Sequence, residues 1–458
     1  MFECFILIMS TSPYSHACFI DGLASTPNGG GRKMRRRGLA SQLAACGAAS
    51  LGMAGGFTAG WTWALHDRFR RNLEEAPRYE TPREAGNGRS MQAVASSLRG
   101  VPFNPGKPYL YSLAAAFGPD LLPMSLDVRR STAGYVYPYP PQFEKVNFSS
   151  LDGTPLVAML ALHRDGRKRP GVVFSHGLFG SKNQNYVMNP ALEAFSGWGY
   201  NVMALDLRNF GESQKLSHSP TTGGWKEGQD ILGACRFLGE QEEVTSTAAV
   251  GYSLGAGSVM NASLQNRDYP YLTGGAVAWN GYASMRRMVE HISTRPPAAD
   301  MFFPVYLAFS YLHEMRRQDM RRYVDMPVAR EYLAGRPFSV DFRRYMSDVV
   351  APHYGLEEDE IYALSSPGRF IHEVETPLLV VHAEDDPICP MVEMEELSDA
   401  ARGNPNVDIW VLPTGSHCAF DGFDRPWYWR VLRGFLDYWA EWPREAPLPA
   451  GIYRGGGE

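Results

Sequence analysis

Between residues 143 and 442 the chain alternates short apolar runs with longer mixed stretches. The apolar runs are rich in Val, Ala and Leu and too short for most helices, which is typical of strands that are buried on both faces. They fall at residues 171–175, 200–205, 245–250, 276–279, 377–381 and 409–412. Two earlier runs, 143–148 and 156–162, flank the turn-forming pair Asp152 and Gly153 and predict a hairpin. The alternation predicts an α/β fold, with a mostly parallel sheet covered by helices on both faces.

A Gly-x-Ser-x-Gly sequence centred on Ser253 follows the predicted strand 245–250. A helix that begins with small residues is predicted from Leu254 onward. Glycines are needed where a strand turns sharply into a helix, because larger side chains would collide there. Such a turn holds the serine hydroxyl out of the sheet, where a base and a substrate can reach it. Ser253 is therefore a candidate nucleophile.

Chemically suitable residues follow other predicted strands as well. His176 and Gly177 open a loop after residues 171–175, and a loop of that kind can direct a backbone N–H towards a developing oxyanion. Asp385 and Asp386 follow the strand at 377–381, and His417 follows the strand at 409–412. Serine, acid and histidine thus appear in that order along the chain, each just after a strand.

In these motifs the chain resembles the α/β-hydrolase superfamily, and in detail its serine esterases and monoacylglycerol-lipase-like acyl hydrolases. The resemblance runs over residues 143–442. It implies that Ser253 is the nucleophile, Asp386 the triad acid and His417 the base. No metal or organic cofactor is implied.

The family's oxyanion hole corresponds to the backbone N–H groups of Leu178 and Leu254. Asp385 is the alternative acid, but Asp386 directly precedes Pro387 and so matches the acid loop of the family. His176 is interpreted as structural.

The resemblance also divides the chain into segments. Residues 143–280 and 377–442 form the catalytic domain, and residues 281–376 form a helical cap over the active site. Aromatic residues of the cap either pack it onto the core or line an apolar acyl pocket; they are Phe302, Phe303, Tyr306, Phe309, Tyr311 and Tyr323. The other predicted segments are a basic leader at 1–37, a membrane-spanning segment at 38–65, a linker and edge-packing segment at 66–142 and a tail at 443–458.

Residues 38–65 carry no charge and are long enough to span a bilayer as a helix. Tryptophans at one end suit the membrane interface. A face of small residues, with Gly52, Gly56 and Gly60 at intervals of a helical turn, permits a homodimer without establishing one. The favoured prediction is a membrane anchor that places the catalytic domain on the non-cytoplasmic side. A cleaved export signal, with Cys46 in a lipoprotein-like cleavage box, and a cytoplasmic protein with a soluble leader stay open, as does a start at Met34.

Composition narrows the class of function. The chain has 458 residues and a formal net charge of −5, and the absence of a basic stripe in the catalytic region argues against a nucleic-acid binder.

The cysteines do not have metal-ligand spacing. Cys389 and Cys418 stand close to the predicted acid and base, so a disulfide between them is conceivable, although two unpaired small residues are the favoured interpretation.

A serine at this strand-to-helix turn indicates hydrolysis of esters, thioesters or lactones, and less often of peptide bonds. The predicted function is therefore hydrolysis of a carboxylic ester or thioester with an apolar acyl group through an acyl-enzyme intermediate. A peptidase or amidase of the same fold and a non-catalytic binding protein are the alternatives.

Overall fold

The predicted strands form one eight-stranded sheet. The structure is a computed structural model that describes residues 89–105, 140–178, 180–216, 219–294, 342–386 and 388–442. The strands are β1 (Glu144–Ser149), β2 (Pro155–Ala161), β3 (Arg169–Ser175), β4 (Asn201–Asp206), β5 (Val244–Tyr252), β6 (Ala276–Trp279), β7 (Leu378–Ala383) and β8 (Val407–Leu412). Their order across the sheet is β1-β2-β4-β3-β5-β6-β7-β8.

Most of the sheet is parallel, as the sequence predicted. β1 and β2 form the expected hairpin, with Ser149 opposite Pro155, and β2 also pairs antiparallel with β4. From β4 through β3, β5, β6 and β7 to β8 every pairing is parallel. The carboxyl ends of these strands therefore meet along one edge of the sheet, which is where ligands bind in open sheets of this type.

Helices cover both faces of the sheet. The helices are α1 (Met91–Arg99), α2 (Asn185–Ser196), α3 (Trp225–Gly239), α4 (Leu254–Gln265), α5 (Met285–Thr294), α6 (Phe342–Tyr345), α7 (Ala351–Tyr354), α8 (Glu358–Leu364), α9 (Met391–Ala400), α10 (Phe420–Phe423) and α11 (Arg425–Trp439). A π-helical turn, Met346–Val350, joins α6 to α7.

The core has two layers, one on each side of the sheet. Because side chains alternate along a strand, Val172 and Phe174 of β3 enter one layer together with α1, α2 and α11. Val173 enters the other layer, which contains α3, α4 and α9. Burial on both faces explains why the parallel strands appear in the sequence as nearly continuous apolar runs.

A third apolar cluster belongs to the segment predicted as a cap. Val289 of α5, Phe342 and Tyr345 of α6, and Ile361 of α8 are among its members. Leu178, which follows β3, packs against both this cluster and the core layer below it. The described part of this segment therefore packs against the loop that carries Leu178.

Helix α1 was not predicted. Ser90 caps its first turn by accepting a hydrogen bond from the backbone N–H of Ala93 at 3.2 Å. Met91, Val94 and Leu98 form one apolar face and enter the core layer that contains α11. The pattern of a serine cap before an apolar face at helical spacing could have identified this helix.

Several predicted features lie outside the described residues: the leader at 1–37, the span at 38–65, the cap aromatics between Phe302 and Tyr323, and the tail at 443–458. In the ranges that the structure does describe, no helix combines the length and apolar character needed to cross a membrane.

Candidate active site

Ser253 occupies the sharp turn between β5 and α4. Its backbone has φ 57° and ψ −116°, a region that non-glycine residues seldom occupy and that costs about 1–3 kcal/mol. A Cβ on Gly251 would lie 2.1 Å from the Gly255 carbonyl oxygen, and a Cβ on Gly255 would lie 2.7 Å from the His176 carbonyl oxygen. Both contacts are too close for any side chain, so the two glycines of the motif are required by packing.

The Trp279 carbonyl at the end of β6 fixes this turn to its neighbours. Its oxygen accepts a hydrogen bond from the backbone N–H of Ser253 at 2.9 Å. The thiol of Cys418, the residue after His417, contacts the same oxygen at 3.9 Å. The turn at Ser253 and the loop after β8 therefore meet at one backbone oxygen.

His417 faces Asp386. The Nδ1 atom of His417 lies 2.9 Å and 3.0 Å from the two carboxylate oxygens of Asp386. The side chain of Asp386 is fully buried, whereas that of His417 keeps 12% of its surface exposed. When a buried carboxylate holds the imidazole at Nδ1, the proton stays on Nδ1 and the other nitrogen, Nε2, is available as a proton acceptor.

The environment of Asp386 favours its ionised form. Burial alone would raise the pKa of this carboxyl, but the neighbouring His417, as a charge and as a hydrogen-bond donor, lowers it below its usual value. The backbone N–H groups of Ile388 and Cys389 also donate to the carboxylate, at 2.8 Å and 2.9 Å. Burial would lower the pKa of His417, yet Asp386 outweighs that effect and the pKa lies well above 6.5.

Asp385, the alternative acid in the sequence, is directed elsewhere. Its carboxylate accepts hydrogen bonds from the Thr414 hydroxyl at 2.5 Å and from the Ser416 backbone N–H at 2.8 Å. Both partners precede His417 in the loop after β8. Adjacent aspartates thus contact two different parts of that loop: Asp386 contacts the imidazole, and Asp385 the backbone before it.

Asn280 joins these loops and was missed in the sequence. Its side-chain amide donates to Asp386 at 2.7 Å and to the Ser416 carbonyl at 2.9 Å. Its side-chain oxygen accepts from the backbone N–H of Cys418 at 3.0 Å. Asn280 directly follows β6, so its position after a buried strand was the signal that could have identified it.

The loop after β3 contains Leu178, the first predicted oxyanion donor. Before it, the backbone N–H of Gly177 donates to the Tyr186 hydroxyl at 3.0 Å. Nδ1 of His176 contacts the Gly177 carbonyl at 2.7 Å, and Nε2 accepts from the Leu207 backbone N–H at 3.1 Å. These contacts fit the structural interpretation of His176.

Leu254, the second predicted donor, is the first residue of α4. The N–H groups in the first turn of a helix have no intrahelical acceptor, and the helix dipole favours negative charge there. The backbone N–H of Leu254 is therefore placed where it can donate a hydrogen bond to an anion.

A buried ion-pair cluster holds the far end of the Leu178 loop. Lys182 Nζ lies 2.5 Å from Asp206 and 2.8 Å from Glu212, and all three side chains are almost entirely buried. The Lys182 backbone N–H also donates to Asp206 at 2.8 Å. Glu212 is paired in addition with Lys145, at 2.7 Å. Lys182 was not predicted from the sequence, because it follows β3 whereas its partners lie at the end of β4 and just beyond it.

Replacement of Lys182 by methionine should strongly destabilise the protein. It would leave the buried Asp206 carboxylate without the Lys182 cation, beside Glu212, which keeps its pair with Lys145. Breaking a buried pair in this way costs about 3–5 kcal/mol. Thermal unfolding should shift down by roughly 6–20 °C. The matched control is Lys145→Met, because the Lys145 side chain is 43% exposed and its loss should cost no more than about 1 kcal/mol. Equal shifts for the two variants would contradict this account.

The cysteines near the site are unpaired. Cys389 and Cys418 are both free thiols, which agrees with the interpretation favoured from the sequence. Burial raises the pKa of the Cys389 thiol to about 12, so this thiol is protonated at neutral pH.

Comparison with known protein families fits this geometry. A family model described as alpha/beta hydrolase fold matches residues 170–424, more than half of the chain. The chain belongs to the α/β-hydrolase fold family. This membership accounts for the mostly parallel sheet with helices on both faces.

Individual relatives of this α/β hydrolase are distant. An abhydrolase domain-containing protein of Dictyostelium discoideum is 24% identical over 284 residues, covering 58% of this chain and 67% of that protein. A monoacylglycerol lipase of Saccharomyces cerevisiae is 22% identical over 272 residues, and the match spans 58% of this chain and 59% of that enzyme. Among solved structures, the Pyrococcus furiosus esterase Pf2001 aligns with a TM-score of 0.46 and 17% identity, over 66% of this chain and 97% of its own.

Proposed function

We propose that this α/β hydrolase is a serine hydrolase that cleaves carboxylic esters or thioesters through an acyl-enzyme intermediate. The observation that carries the proposal is the pairing of His417 with the buried carboxylate of Asp386, on loops that adjoin the strained turn at Ser253. A buried, ionised acid that orients an imidazole is the part of a catalytic triad that prepares the imidazole to activate a serine hydroxyl as a nucleophile. The name of the yeast relative, a monoacylglycerol lipase, supports an ester as the substrate.

In the proposed mechanism, His417 accepts the proton of the Ser253 hydroxyl as the serine oxygen attacks the acyl carbon. Asp386 keeps the Nδ1 proton in place and stabilises the imidazolium that forms. The backbone N–H groups of Leu178 and Leu254 stabilise the oxyanion of the tetrahedral intermediate. His417 then protonates the leaving alcohol or thiol, and water attacks the acyl-enzyme with His417 again acting as the base.

We expect the acyl group to be apolar. The Leu178 side chain packs against the apolar cluster of the cap as well as the core, so the proposed oxyanion loop lies beside an apolar surface. An acyl chain that runs between this loop and the cap would be removed from water, at a gain of about 0.8 kcal/mol per buried methylene.

The test of the proposed reaction is hydrolysis of a p-nitrophenyl ester series from acetate to palmitate by the full-length protein. Acyl-thioester and aminoacyl arylamide substrates are run beside it. We expect turnover of esters, with a preference for chains longer than acetate. Turnover of arylamides alone would favour a peptidase, and a folded protein that turns over none of these substrates would favour a binding protein.

The pH dependence of kcat/KM should report His417. Burial acts to lower the pKa of His417, but the Asp386 carboxylate outweighs this effect and raises the pKa above 6.5. Because only the neutral imidazole can accept a proton, kcat/KM should fall as the pH decreases through this pKa. The inflection is expected above pH 6.5. A rate that stays constant down to about pH 5 would show that no such base operates.

A further inference from the structure

Cys389 brings a third metal-binding atom to the proposed catalytic pair. One donor atom from each of Asp386, Cys389 and His417 lies within 4.8 Å of the donor atoms of the other two, and no other group of this kind occurs among the residues that the structure describes. Cys389 is buried and its thiol lies 3.5 Å from the Asn280 carbonyl oxygen. The proposed mechanism gives this thiol no role.

We propose that Asp386, Cys389 and His417 form an inhibitory binding site for a thiophilic divalent cation, with Zn²⁺ as the best fit. The proposal rests on the proposed function, because it describes regulation of the same site. Carboxylate, thiolate and imidazole are all ligands of zinc in proteins, and three protein ligands with one open position form a common coordination set.

The three donor atoms need to move only slightly to reach the spacing of a zinc site. Zinc–ligand bonds of about 2.0–2.3 Å place the donor atoms of a tetrahedral site roughly 3.3–3.8 Å apart. His417 Nδ1 and Asp386 are already closer than that, at 2.9 Å, so they need only separate slightly as the ion enters. Cys389 has at most about 1 Å to move, since its donor atom is within 4.8 Å of both partners.

The charges also fit. A Zn²⁺ ion displaces the thiol proton of Cys389, since a coordinating thiol is deprotonated outright. Together with the Asp386 carboxylate, the thiolate neutralises the two charges of the ion, so the buried site carries no net charge. Of the three ligands, His417 keeps the most exposure, with 12% of its side chain accessible, and the ion is expected to enter from its side.

Inhibition follows from the tautomer of His417. The nitrogen that faces Asp386 is Nδ1. An ion bound to Nδ1 forces the imidazole proton onto Nε2, which then donates and can no longer accept the Ser253 proton. The ion also occupies the carboxylate that would stabilise the imidazolium. Zinc binding and base catalysis are therefore mutually exclusive.

The test is a Zn²⁺ titration of ester hydrolysis by the full-length protein in a buffer that does not chelate metal, with reversal by EDTA. Each variant is compared with its own zinc-free rate. We expect zinc to inhibit the wild type and Cys418→Ser, and the inhibition constant to rise at least about tenfold in Cys389→Ser, since even outer-shell partners of a metal site contribute about 10–100-fold to affinity. Equal inhibition of Cys389→Ser and wild type, or no inhibition of the wild type, would overturn the proposal.

A second measurement separates the zinc site from the proposed reaction. Cd²⁺ is added to Ser253→Ala and to Ser253→Ala/Cys389→Ser, and the ultraviolet absorption of cadmium bound to thiolate is recorded. We expect this absorption in Ser253→Ala and its loss in Ser253→Ala/Cys389→Ser, whether or not the protein hydrolyses esters. The same absorption in both variants would place the cadmium on other cysteines of the chain and would overturn the site.

Discussion

Ser253→Ala should lower kcat for ester hydrolysis by roughly 10⁶-fold, because loss of the nucleophile of a serine hydrolase removes nearly all of the catalysis that the triad supplies. The variant should still hydrolyse the ester about 10³–10⁴ times faster than the uncatalysed reaction in water, because the oxyanion hole and substrate binding remain. KM should change little, because the hydroxyl contributes to the transition state more than to binding. Steady-state kinetics on the best p-nitrophenyl ester gives both quantities.

The matched control is Ser263→Ala in α4, the helix that begins directly after Ser253. Ser263 is buried, and its hydroxyl donates to the Val259 carbonyl at 2.9 Å, a bond worth about 1 kcal/mol. This variant should keep its activity and unfold close to the wild-type temperature. If Ser253→Ala, folded as judged by circular dichroism, retains the wild-type rate, Ser253 is not the nucleophile.

Asp386→Asn should lower kcat by about 10⁴-fold, the effect of the equivalent change in serine proteases. The amide can donate a hydrogen bond to Nδ1, which stabilises the wrong tautomer of His417, and it supplies no charge to stabilise the imidazolium. Stability should change much less than activity, because the substitution conserves shape. Kinetics and thermal unfolding of the same preparation separate the two effects.

Asp385→Asn is the control for this change, since the two residues are adjacent and share charge and size. Asp385 contacts Thr414 and the Ser416 backbone and not the imidazole. Its replacement should reduce kcat by less than about tenfold, because the amide oxygen can keep one of the two hydrogen bonds and the change loosens the loop without touching the imidazole. A larger loss of kcat in Asp385→Asn than in Asp386→Asn would reverse the assignment of the acid.

The strands were predictable because their burial leaves a direct trace in the sequence. A parallel strand covered on both faces must be apolar at successive positions, and runs such as 171–175 and 276–279 meet that condition. The turn at Ser253 was predictable because a sharp strand-to-helix turn requires small residues on both sides of the serine. Gly251 faces the Gly255 carbonyl within the turn, whereas Gly255 faces the His176 carbonyl of the loop after β3. The observed ends of strands differ from the predicted ones by at most two residues, as in β5, which continues to Tyr252.

The contacts of the supporting residues were not predictable, because the partners are far apart in sequence. Asn280 and Asp386 are separated by 106 positions, and Lys182 and Asp206 by 24. Neither contact leaves a local pattern of residues. The preference for Asp386 over Asp385 came from the family resemblance, because the direction of each side chain depends on loop conformation rather than on residue type.

The central claim, that Ser253 is an activated nucleophile, is tested most directly by covalent labelling. The full-length protein is treated with a fluorophosphonate probe, digested and examined by mass spectrometry, with Ser253→Ala and Asp386→Asn alongside. The account predicts one phosphonylated serine at position 253, no label in Ser253→Ala and much slower labelling in Asp386→Asn. Absence of label from the folded wild type, or label on a different serine, would contradict it.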